Sequence, residues 1–265
     1  SAIVEFGAQD VRPRALFSAA ALGPFAGLDA PLTATISIGL DREVGINRFE
    51  GDAVIGRGNA RSDAGNFRLE GGRLHGRYDI ASDELIIDQL SLAGDRTSVG
   101  GDIRMRNVSA IMRARPNEAA SFTVALPSLR LDVPGTFSEP IALNNVQIQG
   151  AITTASREVR FSRIHARSGE GTLDATGRIY WAEVGERVRP GIELNGGIQG
   201  AIDARTVVQL WPIGLAEGAR SFLERSLVAG RVSDAVVHID ARPADFAAEA
   251  MRDEAMDIRF NVTGG

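Results

Sequence analysis

The chain has 265 residues, 44% hydrophobic and 24% charged, with a formal net charge of −5. That balance is globular rather than disordered and supports a sizeable core, and its sign argues against a protein that grips phosphate backbones through a broad basic excess. The absence of cysteine rules out disulfides, thiolate catalysis and zinc-thiolate sites, and although all 29 basic residues are Arg, genomic composition accounts for that without phosphate chemistry.

The 30 glycines and sparse aromatics suit many short strands joined by turns. No apolar run approaches the roughly 20 residues that span a bilayer. The longest, Ala15 to Leu28, is broken at Ser18 and at Gly23-Pro24. It reads as a short amphipathic helix near residues 13 to 22, with Pro13 in its first turn, Leu16, Phe17 and Ala20 inward, and a stop at Gly23. The chain begins at Ser and ends on "FNVTGG" just past a strand, which reads as a segment of a longer protein whose signal or anchor lies elsewhere.

Beyond this helix the sequence repeats itself. Three segments share one apolar spacing: Val44, Ile46, Phe49; Leu85, Ile87, Leu90; and Val159, Phe161, Ile164. Each follows an alternating run and a polar turn, as in "TATISIGL" with Ile36 and Ile38, and each leads through a Gly-containing turn into another alternating run, such as "TLDATGRIYW" with Ile179. Strand side chains have a period of two, so apolar, x, apolar, x, x, apolar requires a phase slip, which a β-bulge at the same place in each copy supplies. The unit is a repeated antiparallel meander. Its starts fall at irregular intervals, so a tight solenoid is not expected.

Between the meanders, "YDIASDELIID" gathers Asp79, Asp83, Glu84 and Asp88. These read as turn residues and a solvent-facing strand residue rather than a calcium loop. "RMRNVSAIMRAR" places Arg104, Arg106, Arg113 and Arg115 close together. Alternation sets Met105 opposite Arg104 and Arg106, the wet face of a strand; the competing reading is a rim that holds anionic head groups. "ARPNEAAS" around Pro116 reads as an exposed connection. A second helix is expected near residues 213 to 228, with Ala219, Phe222, Leu223 and Leu227 on one face and Glu217, Arg220, Glu224 and Arg225 on the other. Trp211 reads as its core anchor.

No enzyme constellation emerges. His75, His165 and His238 lie far apart in strand contexts without metal-ligand spacing. Ser98 lacks the leading Gly of a nucleophile elbow, and the Gly-x-Gly starts at Gly56 and Gly169 fail at the third Gly. Neither a cofactor nor a metal is expected.

The predicted fold is mostly β: one long twisted antiparallel sheet of repeated meanders, curled into a U-shaped groove with short inserted helices. Its repeat-like units fall at about residues 1–115, 116–205 and 206–265. The predicted helices are too few to cover about a dozen amphipathic strands, so either the sheet folds on itself or it leaves a greasy floor open. The residues expected to line that floor are Ile36, Ile38, Ile46, Leu85, Ile87, Val159, Phe161 and Ile179.

"LWPIGLAEGARSFLERSL" followed by "VAGRVSDAVVHIDARP", residues 210 to 243, resembles the Trp-Pro, helix, Gly-x-Val, strand signature of the AsmA-like superfamily, close to the YhdP and TamB-type bacterial envelope proteins. The order upstream, residues 10 to 41 and then 76 to 105, is similar to that group as well. Phe222 stands where many relatives are expected to carry a second Trp. The resemblance implies a non-enzymatic groove that carries phospholipid through the periplasm from inner to outer membrane. It implies an inner-membrane anchor in the rest of a longer chain and envelope protein partners; no nucleic acid is expected, on the ground of net charge. Two other classes compete: a scaffold or outer-membrane assembly factor pairing through its sheet edges, and a glycan-binding module, which two Trp and two Tyr do little to support.

Overall fold

A computed structural model describes residues 2–12, 27–41, 43, 45–62, 65–95, 97–132, 137–211, 213, 217–226, 230–247 and 252–263. The expected helix near residues 13 to 22 lies outside them. The strands are β1 (Ala2–Val11), β2 (Leu28–Asp29), β3 (Leu32–Asp41), β4 (Gly45–Ile55), β5 (Gly58–Ser62), β6 (Gly65–Asp79), β7 (Glu84–Gly94) and β8 (Ser98–Arg106). They continue as β9 (Ala120–Leu131), β10 (Ile141–Thr153), β11 (Glu158–Ser168), β12 (Gly171–Val184), β13 (Arg187–Asp203), β14 (Arg231–Ala241) and β15 (Met256–Thr263). Short helices α1 (Ser109–Arg113), α2 (Ala204–Gln209) and α3 (Glu217–Ser226) interrupt them.

All fifteen strands form one antiparallel sheet that curls without closing into a barrel. Thirteen follow each other in chain order from β1 to β15, while β2 and β5 form a small flap paired to the first half of β6. Such an order needs only hairpin-like connections, which the polar turns supply. The substantial contacts of each strand are with its ladder neighbours, and among the described residues no second sheet packs against the first.

The expected phase slips are bulges. Gly39 and Leu40 face Arg48 and Ile46, leaving Asn47 extra; His75 and Gly76 face Gln89 and Ile87, leaving Asp88 extra; Gln149 and Gly150 face Arg163 and Phe161, leaving Ser162 extra. Each extra residue sits directly after the second apolar position of its segment. A bulge at that point returns the third apolar side chain to the same face and increases the local twist.

Two of the helices were not expected from sequence. Helix α1 occupies part of the run read as strand and exposed connection. Its start is held from outside, because Asp83 in the β6–β7 turn accepts from the Ser109 backbone N–H at 2.9 Å and hydroxyl at 2.5 Å. Helix α2 follows β13 without a loop and is capped by Asp203, whose carboxylate accepts from the Arg205 N–H. Helix α3 falls inside the expected 213 to 228 window. The proposed stripe of Ala219, Phe222, Leu223 and Leu227 lies outside the described residues and side chains.

Candidate functional site

Direct cross-strand pairing carries one row of side chains across the sheet: Val4, Ile38, Phe49, Tyr78, Leu85, Met105, Phe122, Gly150, Phe161, Gly177, Leu194, Ile239 and Met256. Paired residues share a face, so this is an unbroken row with a single polar tip, the Tyr78 hydroxyl. Tyr78 directs that hydroxyl to Asp83, 2.8 Å away. A second row, two residues along each strand and three along β11 across its bulge, contains Phe6, Ile36, Ile87, Ile103, Val124, Ile148, Ile164, Val237 and Ile258, with Gly51, Gly76, Ala175 and Gly196 between them. At about 4.8 Å per strand, thirteen strands make this floor about 58 Å long.

All eight residues expected on the floor lie on this face. Ile38, Leu85 and Phe161 belong to the first row, and Ile36 and Ile87 to the second. Ile46 faces Leu40, and Val159 faces Ile179, one step beyond the first row. The floor's relief comes from large side chains folding over glycines. The Phe122 and Phe161 rings meet edge to face at 6.1 Å between centroids, flanking Gly150 in the strand between them. A Cβ on Gly150 would lie 2.7 Å from the Phe122 ring and 2.2 Å from the Arg160 carbonyl oxygen. Phe49 and Tyr78 stack at 6.4 Å.

Exposure along the floor is uneven. At the β1 end Phe6 is 59% exposed and Ile36 49%. At the β15 end Trp211, which follows α2, is 7% exposed and packs with Ile198, Ile202, Ala204, Val232 and Ala235; Met256, Ile258 and Phe260 pack against the same cluster. Trp211 is therefore a core anchor, as its sequence context predicted. A smaller cluster of Leu126, Val146 and Ala166 lies between these regions.

The opposite face carries charge. Across neighbouring strands Arg48, Asp79, Glu84 and Arg106 face one another in turn, as do Arg160, Arg178, Glu193 and Asp240. Arg178 bonds Glu193 through Nε at 2.8 Å and reaches Glu158 at 3.2 Å, which holds the Glu193 carboxyl below its ordinary range. His75 lies 2.5 Å from Asp88 and 3.2 Å from Glu50, and Arg77 donates to Asp88 at 2.8 Å. The bond to Asp88, then the one to Glu50, raises the His75 pKa, and the His75 contact in turn lowers both carboxyls. Asp88 is the extra residue of its bulge, so the slip that keeps the floor apolar also delivers this carboxylate to the back.

The four arginines expected at a rim do not converge. Arg104 and Arg106 sit on the charged back, 3.7 and 3.2 Å from Glu84, because alternation opposes them to Met105. Arg113 on α1 donates to Glu118 at 2.7 Å, and Arg115 is 3.7 Å from the same carboxylate. His165 pairs with Asp174 at 2.8 Å and His238 with Asn195 at 2.6 Å, two separate places on the back. Among the described residues no group of three or more His, Asp or Glu is placed to hold a metal ion, and no helix is long and apolar enough to cross a membrane. Sequence reasoning missed the roofing role of α2, although Asp203 ahead of "ARTVVQ" is a recognisable cap signal. No family model, no curated protein and no solved structure matches this chain.

Proposed function

We propose that this chain is a non-enzymatic lipid-binding and transfer segment, in which phospholipid acyl chains lie along the apolar floor while head groups stay in water. The observation that carries the reading is the pair of apolar rows continued by direct pairing through thirteen strands, over which, among the described residues, no second sheet lies and the packing of Trp211 and α2 is confined to the β13–β15 end. A soluble protein rarely leaves so long an apolar surface uncovered unless something else occupies it. Each methylene exposed to water costs roughly 0.8 kcal/mol, so a tail of about fifteen faces a barrier of roughly 12 kcal/mol. A continuous floor lowers that barrier without any chemical step. The same proposal, supported by the AsmA-like resemblance of residues 210 to 243, includes a location in the periplasm of a bacterial envelope, with an inner-membrane anchor in the rest of a longer chain.

Mass spectrometry of lipid extracted from the purified chain tests the reading. Phospholipid should copurify with the wild type and be strongly reduced in Ile87→Asp, which puts a carboxylate in the second row. Repeated absence from a folded wild type overturns the proposal. A second reading, a scaffold that pairs through sheet edges, draws on the fact that β1 and β15 each have a single ladder partner among the described residues. Strand-to-strand crosslinks between β1 and another envelope protein, without lipid, would favour it.

A further inference from the structure

The floor is continuous in its pairing but not in its accessibility: its largest buried cluster lies on β13 and β14, where Trp211 joins it from outside the sheet. Helix α2 leaves the end of β13 and turns over the apolar face, and the Ala204 N–H donates to the Gly230 carbonyl at 3.1 Å, so the two ends of the insertion between β13 and β14 are fastened together. Just past the end of α2, Trp211 shares a buried cluster with Ile198 and Ala235, which face each other across β13 and β14 on the floor side of the sheet. An indole buries on the order of 150–250 Å2 of surface, comparable to a length of hydrocarbon tail in the same place. Val207 and Val208 of α2 pack on the same cluster, whereas Gln209 donates to Glu139, seventy residues earlier, at 2.5 Å between exposed side chains.

We propose that Trp211 is a stop that ends the lipid-accessible floor at β12 and so determines how far a tail can advance along the sheet. The inference rests on the lipid-binding reading above and goes beyond it by naming the residue that sets the occupied length. A tail moving from β1 meets part-buried side chains across most of the floor, with a small buried patch at Leu126, Val146 and Ala166, as far as Leu173 and Ile179 on β12; farther along, the chain's own indole is packed into the cluster on β13 and β14.

The test uses vesicles of phosphatidylethanolamine and phosphatidylglycerol doped with a phospholipid bearing a diazirine in its tail, with labelled sites mapped by peptide mass spectrometry. In the wild type, label is expected in peptides containing Ile87 and Phe161 and at background level in those containing Val237 and Ile258. Trp211→Ala should raise the Val237 and Ile258 peptides from background to the level of the Phe161 peptide, while Trp211→Phe keeps the wild-type pattern. Equal labelling of β11 and β15 in the wild type overturns the stop, as does a folded Trp211→Ala with an unchanged pattern. Should Trp211→Ala fail to fold, Val208→Ala loosens the same roof and must give a partial gain at Ile258. Absence of label at every floor residue overturns the lipid reading itself, a result distinct from lipid bound beyond the proposed wall.

Discussion

The two ends of the sheet are built from the same alternation and the same antiparallel pairing, yet one is open and the other is a core. At the β1 end, β3 passes to β4 through a short turn and Phe6 and Ile36 remain largely exposed. At the β15 end, a chain excursion between β13 and β14 brings Trp211 down on the same face, and Val232, Ala235 and Ile239 are buried. Strand pattern thus decides which side of a sheet is apolar, but what the connections carry onto that side decides whether it is covered. The same chemistry becomes a binding surface in one place and structural packing in the other.

The widest separation between the ends should appear on truncating their aromatics. Trp211→Ala removes a buried anchor and leaves a cavity, and is expected to cost about 3–5 kcal/mol in urea unfolding monitored through β13–β15. Phe6→Ala, at 59% exposure, should cost about 1 kcal/mol or less. Similar losses at both positions would mean that the β1 end is also covered in solution.

Glycines sharpen the comparison at a smaller scale. A methyl on Gly150 would collide with the Arg160 carbonyl and the Phe122 ring, whereas the nearest atom to a methyl on Gly51 is the Thr35 carbonyl oxygen at 3.8 Å, ordinary contact. Gly150→Ala is therefore expected to destabilise by about 1–3 kcal/mol, and Gly51→Ala to stay within about 0.5 kcal/mol. Thermal melts of the two variants check this. Equal costs would show that the floor near β4 is as tightly packed as the floor near β10.

Much of this architecture was legible in the residues. The spacing of Leu85, Ile87 and Leu90 required a slip, and the slip is at Asp88; Phe161 and Ile164 required another, and it is at Ser162. Side-chain period is a local property, so one strand suffices to reveal it. What escaped depended on distant contacts. The segment "SAIMR" becomes a helix because Asp83, twenty-six residues earlier, captures its first N–H, and "RTVVQ" is rich in β-branched residues that favour strands until the Asp203 cap and the packing of Val207 and Val208 outweigh them. The arginines near residue 110 are close in sequence, but the turn into α1 separates them in space, and each pair of them already has a carboxylate partner.

The smallest expected effect concerns what holds β4, β6 and β7 together behind the open part of the floor. On the back face His75 bridges Asp88 from β7 and Glu50 from β4, with Arg77 on Asp88 and the Asp52 charge nearby. The His75 pKa is raised on folding, so its contribution to stability is fully present below the unfolded value of about 6.5 and is lost as pH rises through the folded one. Asp88 and Glu50 are lowered, so theirs is present above about pH 4 and is lost as pH falls through the depressed values. The cluster is therefore most stabilising between about pH 4.5 and pH 6.5. The Tm difference between wild type and His75→Gln should be greatest near pH 6 and shrink toward about pH 8.5, while any pH dependence of the Trp211→Ala deficit should be unrelated to this window. A His75→Gln difference that is flat across the range would mean that the bridge is not populated in solution. The strands at the open end would then depend on their ladders, and on whatever occupies the floor, to stay together.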